Sequence, residues 1–470
     1  MKIALVTPPY NLLKEGYGAK KYSKYGAYPP LGIGYIGAAL EEAGVEVKII
    51  DGQSQLLSKE EIAAQLAGFR ADAVGISAVT ACAELACELA NFIKEKLNII
   101  VFMGGPHPTC FPEAVYHDAK SMDFLVLGEG EETMLEILKV MDDKNRWHNI
   151  DGICFLDRDK NIIRTKDRRV IDDLDTIAPP ARHLYDHSLY HPIPNLYRQL
   201  PATNMITSRG CPYGKCAFCY QAGKVGARYR RHSPERIVAE IKDLKSARGI
   251  REIAFWDDNF VINHNWIKKF CGMLVYEKLD ISWSCYSRVD LVNKEILDVL
   301  AKAGCWSIFY GLESGVQELL DMVDKGITIE QGEAAIRLTH EAGIETRGSF
   351  MLALPGENPR LAKKTIDFAI KLNLDSAQFL ATYPEYGTKL YEKAMVAGQF
   401  MKYKGRHGVT YVPEGYRDAS EVKKMIRTAY LRFYLRPAFF MKYLKRIKSW
   451  KDFLKFFEGF KMVLGIAGNK

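Results

Sequence analysis

This chain of 470 residues is poor in the features that mark several protein classes. Its ten cysteines are too few for a disulfide-stapled fold, so each has to be judged by its spacing. No stretch of about 18 uninterrupted apolar residues occurs, which excludes a membrane-spanning helix. The opening MKIALVTPPYN has no basic region, long apolar run or small-residue cleavage site. It reads as a strand rather than a signal peptide, and a cytoplasmic, reducing setting is the expectation. No G-x-G-x-x-G follows that strand, so a dinucleotide site is poorly supported. Basic charge is also scarce over most of the length. The net charge is +8, but the stretch from Glu421 to Lys470 holds 13 Lys/Arg against 3 Asp/Glu, leaving the first 420 residues at −2. That balance argues against a body-wide nucleic-acid groove.

What is present is an ordinary globular composition, 48% hydrophobic and 26% charged, at a length that predicts two to four domains. The first 140 residues alternate β-branched runs (2–7, 45–51, 73–77, 99–103, 124–127) with helical patterns. This predicts a doubly wound parallel α/β sheet, whose ligands sit beyond the carboxyl ends of the strands. Those ends carry Pro8-Pro9-Tyr10, Ser77 with Val79 and Thr80, Gly104-Gly105 with His107 and Pro108, and Gly128-Glu129-Gly130-Glu131. Taken singly, each also reads as an ordinary tight turn. A hairpin over 152–165 and an irregular proline- and histidine-bearing stretch read as a linker. From about residue 202, six further strand patterns alternate with helices, predicting a partial or complete parallel barrel. The expected division is residues 1–145, a linker over 146–198, a barrel over 199–400 and a basic helical region over 401–470.

The sharpest local signal is Cys211-Pro-Tyr-Gly-Lys-Cys216-Ala-Phe-Cys219, directly after the first barrel strand. Three soft thiolates on one loop suit zinc or an iron–sulfur cluster. A zinc site needs a fourth ligand, which His232 could supply; three thiols can instead hold a 4Fe-4S cluster and leave one iron open. This segment resembles the radical S-adenosylmethionine superfamily, with Lys215 lengthening the first gap to four residues. Phe255–Phe260, Arg288–Asp290, Gly311–Gly315, Lys325-Gly326 and Gly348–Glu357 match in order. The resemblance implies that Cys211, Cys216 and Cys219 bind the cluster and that its open iron chelates S-adenosylmethionine. It also implies that Asp258 receives the methionine ammonium, Arg288 the carboxylate and Glu313 the ribose or ammonium. The backbone around Leu352–Leu354 would pair with adenine. Residue by residue, the competing reading of Asp258, Arg288 and Glu313 is an ion-pair network across strand ends. Cys271, Cys285 and Cys305 read as core.

With the barrel so identified, the first sheet resembles the cobalamin-binding domain found in one class of that superfamily. The carried-over segments are those strand ends together with Tyr28–Gly32. No Asp-x-His-x-x-Gly motif occurs, so no histidine is expected to ligate cobalt; Val79 or Thr80 would lie nearest its lower face. The implied activity is radical C-methylation of an unactivated carbon. Cyclisation, ring contraction or carbon–carbon coupling by the same cofactors is the alternative, and a non-catalytic iron–sulfur or zinc protein the rival. Expected partners are an organic substrate (a peptide or protein side chain, lipid, tetrapyrrole or natural product) and a reductant such as flavodoxin or ferredoxin. The basic aromatic tail reads as a cap packed on the barrel, with peripheral membrane contact or an acidic protein or RNA as competing readings.

Overall fold

The computed structural model describes residues 1–11, 25–194, 196–220, 228–401 and 409–468, apart from 445, 446 and 448. It divides into two compact units, the first reaching His191 and the second running from Pro192 onward.

The first unit begins with β1 (Lys2–Thr7), α1 (Leu31–Glu42), β2 (Glu46–Asp51), α2 (Lys59–Phe69) and β3 (Ala73–Ser77). It continues with α3 (Ala83–Leu97), β4 (Ile100–Gly104), α4 (Pro106–Cys110) and α5 (Pro112–Asp118). β5 (Phe124–Val126), α6 (Glu131–Ile137), β6 (Ile153–Leu156) and β7 (Ile162–Arg164) complete it. Among the described residues these strands form one sheet in the order β2-β1-β3-β4-β5-β6-β7. β1 to β5 are parallel, while β6 and β7 add on antiparallel. Successive side chains of a strand point to opposite faces, so a sheet covered on both faces needs apolar residues throughout. In β1, Ala4 and Val6 enter a core with Ile62, Leu66 and Ile93, while Ile3 and Leu5 enter another with Ile33, Leu40 and Met134.

The stretch expected as a linker belongs largely to this unit. Its hairpin is the sheet's outer pair, β6 and β7, and Tyr185 and Tyr190 are buried in the second core. The Tyr190 hydroxyl donates to Asp51 at 3.0 Å. Proline and histidine content had suggested a free strand of chain; the tyrosines that anchor it are spaced too irregularly to show a period.

The second unit has β8 (Ala202–Met205), β9 (Ser208–Arg209), β10 (Arg230–Arg231), α7 (Pro234–Arg248), β11 (Glu252–Phe255) and α8 (His264–Tyr276). Next come β12 (Ser282–Ser287), α9 (Lys294–Lys302), β13 (Cys305–Glu313), α10 (Gln317–Met322), α11 (Ile329–Glu341) and β14 (Glu345–Leu352). α12 (Pro359–Lys371), β15 (Ser376–Ala381), α13 (Lys389–Val396), β16 (Gly398–Phe400) and β17 (Tyr411–Pro413) lead to α14 (Ala419–Tyr434), α15 (Pro437–Leu444) and α16 (Trp450–Gly468). Its main sheet is six parallel strands in the order β15-β14-β13-β12-β11-β8, an open barrel with every crossover covered by a helix. α14 packs on the outermost strand: Tyr434 and Tyr430 hydrogen-bond the backbone of Ala377 and Phe379. Among the described residues no helix is long and apolar enough to cross a membrane.

Candidate active site

The cysteine loop leaves β8 and is closed at its base by the two-residue ladder of β9 with β10. Asp257, at the end of β11, fastens the outgoing side. It accepts hydrogen bonds from the Thr207 amide at 3.1 Å, the Thr207 hydroxyl at 2.6 Å and the Ser208 hydroxyl. Arg231 fastens the returning side, 3.9 Å from Asp257. Its guanidinium lies 4.1 Å from the Trp266 ring, donates to the Phe260 carbonyl, and is almost wholly buried. A buried charge pair of this kind holds position by geometry more than it adds stability.

The far side of the loop rests on the turn after α10. The Ala217 amide donates to the Val323 carbonyl at 2.8 Å, and the Tyr213 hydroxyl to the Asp324 carbonyl at 2.8 Å. Arg288 stacks 3.7 Å from the Tyr213 ring, pairs with Asp290 at 2.9 Å and donates to the Lys325 carbonyl at 3.0 Å. Lys325 in turn reaches Glu313 at 2.8 Å, both side chains being buried. Burial by itself would lower the Lys325 ammonium, but Glu313 and Cys216 beside it carry it above the ordinary lysine value. Burial pushes the Cys216 thiol up, while Lys325 and Arg288 pull it back.

Cys211, Cys216 and Cys219 are half-buried on this loop. Among the described residues no three Cys, His, Asp or Glu groups close around one metal ion. A 4Fe-4S cluster offers a different iron to each thiolate, so its ligands stand further apart than those of a single ion. The donor set on one cation-lined loop fits it. Cys271, Cys285 and Cys305 are buried core residues.

The barrel residues singled out from the sequence all stand at strand ends. Asp258 sits at the exposed rim and accepts from the Gly210 backbone. Desolvation by the surrounding loops, with Asp257 next to it, raises its carboxyl. Arg288 and Glu313 are each held in an ion pair, Arg288 with Asp290 two residues on and Glu313 with Lys325. Leu352 and Leu354 are fully buried, and the Leu352 carbonyl already accepts from Thr382. Leu354 packs under the cysteine loop with Ala217, Val323 and Leu390. The neighbouring Ala353 amide donates to Glu357, whose carboxyl also accepts from Tyr416 at 2.6 Å. Glu357 Oε2 finds no partner among the described residues, and burial lifts this carboxyl to about 7. Asp257, Arg231, Tyr213 and Lys325 were not assigned a role from the sequence. Asp257 had a signal, as a second carboxylate adjoining Asp258 just beyond β11.

In the first unit, the order β2-β1-β3 makes the chain reverse direction between β1 and β3, where doubly wound sheets open a crevice. Pro8 and Tyr10 are buried there, with Pro9 half-buried. Val79 is 47% exposed, flanked by half-buried Ser77 and Thr80. Gly104 and Gly105 are half-buried, and Gly105 adopts a φ of 105°. A Cβ on Gly105 would lie 2.9 Å from the Ala78 carbonyl oxygen, so this turn needs glycine. The His107 amide donates to that same carbonyl at 3.0 Å. The His107 ring is buried 5.2 Å from Phe111, and Pro108 is buried beside it. Gly128 faces open space, whereas Gly130 and Glu131 are buried and Glu129 accepts from the Ile171 amide at 2.8 Å. An exposed valine among close-packed glycine turns leaves backbone within reach of a large flat ligand. The cradle fits cobalamin.

Comparison with known proteins gives a family for each of the two units. Residues 23–138 match the B12 binding domain family and residues 205–369 the radical SAM superfamily. An uncharacterised methyltransferase of Pyrococcus horikoshii is 33% identical over 447 residues, covering 94% of either chain. The anaerobic magnesium-protoporphyrin IX monomethyl ester cyclase of Rubrivivax gelatinosus is 28% identical, over 88% of this chain and 75% of its own. The cobalamin-dependent S-adenosylmethionine radical enzyme OxsB, solved with aqua-cobalamin and S-adenosylmethionine, shares the fold. Its TM-score is 0.73 at 19% identity, over 97% of this chain and 70% of that one. The cofactors this architecture calls for are cobalamin, S-adenosylmethionine and a 4Fe-4S cluster. The chain belongs to the radical SAM superfamily, in the cobalamin-dependent class that carries a B12-binding domain ahead of the radical SAM domain.

Proposed function

We propose that this protein is a radical C-methyltransferase acting on an unactivated carbon of an organic substrate. The observation that carries the reading is the cysteine loop itself. Three half-buried thiols are clamped at the base by Asp257 and Arg231 and bedded on Arg288 and Lys325, in a chain that also bears a B12-type sheet. The chemistry the bound groups supply is reductive cleavage of S-adenosylmethionine, hydrogen abstraction from the substrate carbon and methyl donation from methylcobalamin. The protein's own part is to hold and orient. Cys211, Cys216 and Cys219 ligate three irons; Asp258, exposed at the rim, accepts from the methionine ammonium. Arg288 and Glu313 present charge to the methionine and ribose groups from fixed positions, because their pairing with Asp290 and Lys325 removes rotamer freedom. The turns at Val79 and Gly105 would seat cobalamin. The electron comes from a low-potential carrier such as flavodoxin or ferredoxin.

The test is anaerobic turnover of the reduced holoenzyme with S-adenosylmethionine deuterated in its methyl group and a metabolite extract. Methylation yields both 5′-deoxyadenosine and S-adenosylhomocysteine, with deuterium in a product. The cyclisation that the Rubrivivax gelatinosus relative's name describes would yield 5′-deoxyadenosine without S-adenosylhomocysteine, and that pattern would overturn the proposal.

A further inference from the structure

We infer that the buried Lys325–Glu313 pair sets the reduction potential of the cluster held by Cys211, Cys216 and Cys219, Lys325 raising it and Glu313 lowering it. The inference rests on the cluster reading above and assigns those two charges a task of their own.

Lys325 is 7% and Glu313 6% exposed, and their charged atoms meet at 2.8 Å. Taking two charges out of water costs several kcal/mol per ion, and their attraction repays this only with very good geometry. The fold makes room for the pair all the same. A Cβ on Gly311 would fall 2.5 Å from Glu313 Oε1 and 2.8 Å from Lys325 Nζ, so glycine at 311 leaves the space that both groups fill. Glu313 itself holds a φ of 58°, the left-handed region that non-glycine residues seldom occupy. The pair is also tied to the cysteine loop from several sides. Lys325 Nζ lies 5.6 Å from the ring of Phe218, the residue before Cys219. The Lys325 carbonyl accepts from Arg288, which stacks on Tyr213 two residues after Cys211. Asp324 and Val323 accept from Tyr213 and Ala217. The ammonium thus sits against the loop, in a place where low dielectric makes each charge count for more than at the surface.

With three thiolate ligands an oxidised 4Fe-4S cluster carries net negative charge, and adding one electron makes it more negative. No bond forms or breaks in that step; the electron comes from a low-potential one-electron donor, dithionite in the titration. Net charge around a cluster is one of the factors that set its potential. A fixed cation stabilises the reduced form and a fixed anion destabilises it, so the two members of the pair act with opposite sign.

The experiment is a dithionite titration of the reconstituted full chain, followed by the paramagnetic-resonance signal of the reduced cluster, without S-adenosylmethionine. Glu313→Gln keeps the side chain's shape and should move the midpoint to higher potential. Lys325→Met should move it lower, and Lys325→Arg should leave it near the native value. Iron and sulfide content of each variant shows whether the cluster is loaded. If Lys325→Met does not load, the isosteric Glu313→Gln decides alone. A midpoint unchanged in Glu313→Gln, or shifts of the same sign in both variants, would overturn the inference while leaving the enzyme reading intact. A native chain that binds no cluster would instead overturn the enzyme reading.

Discussion

The ligand-bearing turns of the first unit and those of the second are built from different materials. At the first sheet the turns after β3, β4 and β5 are knitted by uncharged groups: the Ala78 amide to Gly104, the His107 amide to Ala78 and the Gly128 amide to the Thr109 hydroxyl. At the barrel the turns are knitted by charge, with the side chains of Asp257, Arg231, Arg288, Lys325 and Glu313 all buried around the cysteine loop. A large, nearly neutral ring system needs shape and close approach, which glycine and backbone provide. A small charged cluster needs fixed charges in low dielectric, which the strand ends provide.

The contrast can be broken at either end, and the largest effect belongs to the thiols. Cys216→Ala should leave the folded chain with almost no iron and abolish turnover, while cobalamin binding persists; metal analysis and the cobalamin absorption spectrum read both. Next comes the clamp at the loop's base. Asp257→Asn turns an acceptor of three donors into a mixed group beside a buried arginine, at a cost of about 4 kcal/mol. Its melting temperature and its iron content per chain should fall together. At the other end, Gly105→Val drives a side chain into Ala78 at a φ unsuited to it, for roughly 3 kcal/mol. Cobalamin retention should drop with the cluster intact; loss of both cofactors alike would show that the two ends are not independent.

The smallest effect is a pH dependence. Folding raises the Glu357 carboxyl to about 7 from an ordinary value of 4.5, so the folded chain holds a proton that the unfolded chain gives up. Its contribution is therefore complete below the unfolded value and is lost as pH climbs towards 7, by up to about 3 kcal/mol. Glu357→Gln, whose carbonyl can still accept from Ala353 and Tyr416, should flatten that slope in chemical denaturation between pH 5 and 8. A slope as steep as the native one would place the titration elsewhere.

Much of this was legible in the sequence, because periodicity and loop motifs are local. The parallel strands of both sheets follow from apolar runs separated by helical patterns, and the cysteine loop from three thiols within nine residues. Where the reading fell short, the missing information was a partner far along the chain. The stretch before His191 reads as a linker because nothing nearby shows that Tyr190 reaches Asp51, 139 residues away. The clamp role of Asp257 is not legible either, because its partners Thr207 and Ser208 stand some 50 residues earlier.

The sequence by itself therefore determined which elements form, their order, and the spacing of three thiols on one loop, since each depends on residues within a turn or two. Only the tertiary structure decided which charges are buried together. Lys325, on the turn after α10, meets Glu313 at the end of β13, and Arg231, on β10, meets Asp257 beyond β11, only because the fold brings these segments side by side, and a charge's effect depends on the solvent that this packing removes.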